Sequence, residues 1–247
     1  EIFLKLYEQT NNPNYLVISK KYGDILLSLQ KDSGSFRTAS DVGGWSTPGA
    51  ISALAELYLH TKDSNYLLGS EKAAQYLLST EIGGAWKETE GSEQISLTNW
   101  TTPGAIYSLS KLYKITKKQA YYEQVLKSAD TLINLQKDNG AWAQYYNLNE
   151  EPIDNLSYIT FSTTPGCILS LLRVYELTGD SKYLASAQKA GDWLIQIQDS
   201  EGLWYPVYRD KKPFYITLSF WWDDSTIAAL DALFRLQICS VYQENKQ

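Results

Sequence analysis

A motif that recurs three times constrains this chain more than any other feature: Ser46-Thr47-Pro48-Gly49-Ala50-Ile51, Thr101-Thr102-Pro103-Gly104-Ala105-Ile106 and Thr163-Thr164-Pro165-Gly166-Cys167-Ile168. Each copy leads into an apolar stripe at helical spacing that reaches Tyr58, Tyr113 or Tyr175. Between these stripes lie short polar turns and second amphipathic stretches, which close on Gln30, Glu81, Gln136 and Gln198, 51, 55 and 62 residues apart. A glycine and an aromatic residue follow each time: Gly34 and Phe36, Gly84 and Trp86, Gly140 and Trp142, Gly202 and Trp204. A period of this size marks stacked supersecondary units, and the unit here is a helical hairpin.

Local chemistry agrees at each boundary. A hydroxyl residue followed by proline suits a helix start, where the side chain is expected to cap free N–H groups and proline forfeits no bond. The glycine after the second helix is expected to end it in a left-handed cap. Hairpins with these signals stack side by side, so the fold class expected is all-α: an α/α toroid of about four to five hairpins, open or incomplete, forming a single domain over residues 1–247. The opening Phe3-Leu4-Lys5-Leu6-Tyr7-Glu8 reads as the end of a first helix, and Asp223 to Gln237 as the last one. With no methionine in the chain, the expectation is of a processed or truncated protein that lacks upstream hairpins.

Charge excludes some functions. Lysine and arginine number 22 against 28 acids, and the four arginines, Arg37, Arg173, Arg209 and Arg235, are scattered. Nucleic-acid binding needs clustered positive charge, so no such partner is expected, and no apolar run is long enough for a membrane span. Cys167 and Cys239 fall in separate helices and are expected to be buried thiols. Two cysteines fit cytoplasmic, periplasmic and secreted proteins alike, and nothing in the pattern sets an oligomeric state.

The connections within hairpins are expected to be about four residues, and those between hairpins about 14 to 25, which marks the latter as candidate functional loops. In a stack of parallel hairpins the long loops share one face. They carry Trp45, Trp86, Trp100, Trp142, Trp204, Trp221 and Trp222. Trp86, Trp142, Trp204 and Phe36 recur in every unit and are expected to pin the loops. Trp45, Trp100, Phe161 and Trp222 precede first helices, where rings can stack on the C–H face of a sugar. Tyr145, Tyr146, Tyr158, Tyr205, Tyr208 and Tyr215 add hydroxyls to the same loops, with Arg209 as a cationic contact.

The acidic feature is Trp221-Trp222-Asp223-Asp224-Ser225, which stands where the Thr-Pro-Gly element is expected, so that two carboxylates sit at the positive end of a helix. Breaks in an otherwise kept rule often mark sites. Asp223 and Asp224 are the candidate catalytic pair and candidate metal ligands; Asp41 and Asp154 are further carboxylates, and converging acidic oxygens suit calcium. The single histidine, His60, lies on the opposite face. Chemistry must therefore run on Asp, Glu, Tyr, Lys or Arg.

Two families resemble the chain. Lys189-Ala190-Gly191-Asp192-Trp193-Leu194, leading to Gln198, Gly202 and Trp204, resembles the repeat of squalene and hopene cyclases, and Asp223-Asp224-Ser225-Thr226 resembles part of their acid motif. Gly202-Leu203-Trp204-Tyr205-Pro206-Val207-Tyr208, with Tyr215-Ile216-Thr217, Phe220 and Asp223-Asp224, is similar to a segment of family 10 pectate lyases, and the hairpins resemble toroids of the six-hairpin glycosidase type. The lyase resemblance implies calcium-assisted β-elimination on acidic sugars, with Asp223 or Asp224 contacting metal or substrate and an arginine base further downstream.

The function expected is a carbohydrate-active protein, a polysaccharide lyase-like or glycoside-processing enzyme that binds an oligosaccharide or polysaccharide at the toroid mouth through Trp45, Trp100, Phe161, Trp221, Trp222, Tyr208 and Arg209. A non-catalytic glycan-binding scaffold and an isoprenoid cyclase-like protein are the alternatives.

Overall fold

The computed structural model describes residues 2–36, 46–87, 92–98, 101–159, 162–214 and 222–244, with 222–225 and 240–244 described by their helical backbone alone. Four helical hairpins follow one another: α1 (Ile2–Thr10) with α2 (Pro13–Leu29), α3 (Ser46–Thr61) with α4 (Ser64–Ser79), α5 (Thr102–Thr116) with α6 (Gln119–Asn134), and α7 (Thr163–Thr178) with α8 (Ser181–Ile197). A further first helix, α9 (Trp222–Glu244), continues past the expected Gln237 because no glycine or proline stops it. The odd-numbered helices α3, α5, α7 and α9 pack on one another as an inner layer, and the even-numbered ones back them. This is an α/α toroid.

Hairpins turn in two residues, not about four. At each turn one residue takes a left-handed conformation, Asn11, Lys62, Lys117 or Gly179, and the next opens the second helix. Asn12, Asp63 and Asp180 cap those helices, each accepting from a backbone N–H two residues on at 3.0 Å. Thr10, Thr61, Thr116 and Thr178 reinforce the turns by donating to the carbonyl four residues back.

The two cap expectations at the long loops need correction. Thr101 and Ser162 hold the N-cap positions of α5 and α7 without a side-chain capping bond. The motif threonine instead accepts the N–H of the preceding aromatic residue: Thr47 from Phe36, Thr102 from Trp86, Thr164 from Trp142 and Thr226 from Trp204, at 3.1 to 3.3 Å. The hydroxyl thus ties the end of one hairpin to the start of the next. Likewise the repeated glycine is not the helix cap. It closes a turn beyond the helix end: Gly34 N–H donates to Lys31, Gly140 to Lys137 and Gly202 to Asp199.

Gly140 shows why only glycine serves there. Its φ is +95°, and a Cβ would collide with the carbonyl of Lys189 on the neighbouring outer helix α8. Gln136 straddles the same junction, donating to the carbonyls of Gly140 at 2.8 Å and Ser186 at 2.9 Å. Gly140→Ala is therefore expected to cost about 2–3 kcal/mol from backbone strain and lost close approach, read as an earlier urea midpoint.

The long loops carry short strands that the sequence shows no period for. β1 (Trp86–Lys87), β2 (Gln94–Ser96) and β3 (Tyr145–Asn147) form one antiparallel sheet; β4 (Leu156–Tyr158), β5 (Val207–Arg209) and β6 (Lys212–Pro213) form another. Ile95 pairs with Tyr146, and Ser157 with Tyr208, so each sheet joins the loops of successive hairpins. The loops thereby share one rim at the N-terminal ends of the inner helices. The core runs between the layers through Leu54, Leu109, Leu171, Trp142 and Trp193, all buried. At the two ends of the array Val17, Tyr22 and Leu29 on α2, and Ile227, Leu230 and Phe234 on α9, are exposed. Among the described residues no helix is long and apolar enough to cross a membrane, and Cys167 and Cys239 are free thiols.

Candidate functional site

The concave side of the inner layer holds a cavity of about 460 Å³, walled by α3, α5, α7 and α9. Gly49 and Gly104 line it nearest the rim, Ser52, Tyr107 and Asp231 stand one helical turn further in, and Arg173, Glu176 and Arg235 line the deeper wall. A Cβ built on Gly49 meets nothing within 4 Å, so this glycine keeps the entrance wide and is not needed for packing.

Deeper in, charge is arranged by the repeat. Seven residues after the motif position held by Gly49, Gly104, Gly166 and Ala228 stand Glu56, Lys111, Arg173 and Arg235. Seven residues is close to two helical turns, which brings these side chains to one height on one face. Lys111 pairs with Glu56 at 2.7 Å across α3 and α5, Arg173 with Glu176 at 3.0 Å, and Arg235 with Asp231 at 3.1 Å. Lys111 and Arg173 both lie over the Tyr107 ring, 5.3 and 5.4 Å from its centre. Burial, and next the Arg173 charge, hold Lys114 below the usual lysine range. Sequence reading treated the arginines as scattered and missed this set; counting from the motif glycine is the signal that finds it.

The sequence-predicted rim residues separate into three groups. Trp45, Trp100, Phe161 and Trp221 lie outside the described residues, as do Asp41 and Arg37. Trp222, Asp223 and Asp224 form the first backbone turn of α9, and their side chains lie outside the described residues. Tyr208 and Arg209 sit on β5. Arg209 is exposed, with its guanidinium 4.5 Å from the Phe214 ring centre.

Tyr208 is not open to a ligand. It is fully buried, edge-on to Trp193, and its hydroxyl accepts from Tyr205 N–H at 2.7 Å and donates to the Ile197 carbonyl. Burial pushes its hydroxyl up to about 12. Tyr146 repeats the arrangement one unit earlier, between Ala143 and Leu135, so Tyr208 is a loop anchor. Asp154 is likewise committed locally, accepting from Tyr158 Oη at 2.8 Å and Leu156 N–H at 2.9 Å. Trp86, Trp142 and Trp204 are buried, and each donates its indole N–H to a helix carbonyl at 2.7 to 2.8 Å, which is the pinning role expected.

The threonine register also moves the acidic pair. Because Thr226 matches Thr47, Thr102 and Thr164, Ser225-Thr226 is the fourth copy of the motif, with Ile227-Ala228 replacing Pro-Gly. Asp223 and Asp224 therefore precede the motif instead of replacing it, at the places held by Gly44-Trp45, Asn99-Trp100 and Phe161-Ser162.

Among the described residues one group, Glu8, Glu56 and His60, brings candidate metal-ligand atoms within 4.8 Å of one another. It fits calcium poorly: the imidazole is a nitrogen donor where calcium takes oxygens, and Glu56 is already neutralised by Lys111.

The pectic acid lyase family model matches the chain twice, over residues 79–164 and 153–240, together more than half of its length. The chain belongs to the pectic acid lyase family. The first match begins at the end of α4 and the second within the loop between α6 and α7; each takes in the hairpin that follows and continues into the next unit, so the family pattern is carried by the repeat and its rim. No curated protein matches the chain in sequence. Among solved structures, a polysaccharide lyase superposes with a TM-score of 0.70 at 14% identity, covering 97% of this chain and 72% of that one. A sugar epimerase from a ruminal bacterium gives 0.75 at 11% identity, covering 95% and 71%. An unsaturated glucuronyl hydrolase from Streptococcus agalactiae gives 0.65 at 13% identity, covering 93% and 66%. At such identities these likenesses establish the toroid alone. Toroids host unrelated chemistries, so for a member of the pectic acid lyase family the residues of the rim and the cavity must carry the rest.

Proposed function

We propose that this member of the pectic acid lyase family acts on an acidic polysaccharide, laid across the long-loop rim with part of the chain entering the central cavity, and cleaves it by β-elimination. The observation that carries the reading is the double family match, whose two copies include the rim loops and the inner helices α5, α7 and α9 that wall the cavity.

In this reaction a base removes the proton at C5 of a uronate. The C–H electron pair becomes the C4–C5 double bond, and the C4–O bond breaks with its pair onto the leaving oxygen, which takes up a proton. Negative charge develops beside the uronate carboxylate, so the site must supply positive charge or a dry, oriented set of donors. Asp223 and Asp224, at the opening of α9, are the proposed contacts to metal or substrate. Trp45, Trp100, Phe161, Trp221 and Trp222 are the proposed stacking residues of the rim, and Arg209 is an exposed cation on β5. Calcium, where bound, would neutralise the uronate carboxylate.

The test is the ultraviolet absorbance of the unsaturated uronate end, followed against a panel of uronic-acid polysaccharides with calcium and with chelator, beside calorimetric binding to the same panel. A rise in absorbance is the expected result. Binding without any rise, with or without calcium, moves the chain to the glycan-binding scaffold, and neither binding nor turnover removes the carbohydrate reading.

A further inference from the structure

Arg173 stands out on the cavity wall. Its Nη1 donates to Glu176, its neighbour on α7, but Nε–H is buried and has no hydrogen-bond partner among the described residues. A buried donor left unpaired costs free energy and calls for an explanation. Glu176, the carboxylate now on the guanidinium, has a side chain 48% exposed, against 25% for Arg173. It holds its partner by one short-range contact within a helix, the weakest class of ion pair.

The surroundings favour an incoming anion of a particular kind. Lys111 and Arg235 stand at the same height as Arg173 on the adjacent inner helices, but each is already paired with a carboxylate, Glu56 and Asp231, so the preference for an anion rests on Arg173 and its unused Nε–H. Tyr107, 40% exposed, offers a flat face within 5.4 Å of the guanidinium. A guanidinium fork matches a planar carboxylate by two parallel N–H bonds, and an aromatic face beside it suits the C–H side of a sugar ring. The cavity lies within the usual size of small-molecule sites, roughly 300 to 1,000 Å³.

We propose that Arg173 receives the carboxylate of an acidic sugar residue inside the cavity, displacing Glu176, and so sets the preference for charged over neutral saccharide. The assignment rests on the carbohydrate reading above. It makes Arg173 a specificity-determining residue on the wall of the cavity, separate from the acidic pair at the rim.

The experiment is calorimetric titration of the full chain with an oligogalacturonate and with its carboxyl-reduced, neutral counterpart. The wild-type protein is expected to prefer the acidic ligand. Arg173→Gln should weaken that binding roughly 10- to 100-fold, the worth of a hydrogen bond to a charged group, and leave the neutral ligand unchanged. Glu176→Gln, which removes the competing carboxylate and keeps the guanidinium, should tighten acidic binding several-fold; this variant decides the matter if Arg173→Gln unfolds. Acidic binding that is unchanged in Arg173→Gln, or by Glu176→Gln if Arg173→Gln is unfolded, overturns the role of Arg173 while the carbohydrate reading stands. A wild-type protein that binds neither ligand overturns both.

Discussion

Trp142→Ala is expected to lower the stability of this toroid by about 3–5 kcal/mol, the range for deleting a large buried aromatic side chain. The indole is fully buried between hairpins, and its N–H donates to the Leu132 carbonyl at 2.7 Å. Truncation leaves a cavity and strips that carbonyl of the indole bond. Since a domain's whole stability is commonly about 5–15 kcal/mol, the variant should sit near the edge of folding, with a much earlier urea midpoint. The first unit supplies the internal comparison, because Phe36 occupies the same place with a ring that carries no N–H. Trp142→Phe should therefore cost much less than Trp142→Ala, about 1–2 kcal/mol for the lost bond and partial void. A loss under about 1 kcal/mol in Trp142→Ala would mean that the indole does not pin the loop.

That pinning tryptophan was legible in the sequence because it repeats, and repetition is how architecture announces itself. The hairpins, the inner and outer helices and the long-loop face follow from the same markers. What escaped reading has physical causes. The strands are two or three residues long, too short to show alternation, and exist only because successive loops lie side by side. Tyr208 looked like a ligand contact because a loop tyrosine carries the same hydroxyl whether it faces solvent or a helix end; only its burial and its match with Tyr146 distinguish the two. The charged set at Glu56, Lys111, Arg173 and Arg235 involves residue types that differ among the units, an acid in the first of them, then a lysine and two arginines. A search for identical residues passes over it, whereas the height of each side chain on its helix is constant.

Replacing Asp223 by asparagine is expected to reduce turnover on the preferred polysaccharide by about 10²- to 10⁴-fold, the usual worth of a positioned acid or base, with Asp224→Asn as its companion. The case rests on register. In the first three units the two places before the hydroxyl-threonine pair hold Gly44-Trp45, Asn99-Trp100 and Phe161-Ser162, and only the fourth unit puts two acids there. Helix α9 also begins earlier than its equivalents, at Trp222, so both acids lie in its first turn. A purely local role predicts something else: an acid in the first turn stabilises a helix through the dipole by about 0.3–1 kcal/mol, so asparagine would lower the melting point slightly and leave turnover per folded molecule unchanged. Consecutive residues on a helix project about 100° apart, so one substitution should hurt more than the other if a single carboxylate faces the substrate. Equal losses that added calcium partly restores would instead point to two oxygens sharing one cation. Turnover within tenfold of wild type in both variants, at unchanged binding, would remove the acidic pair from the chemistry and leave the base and its partners to be sought elsewhere on the rim.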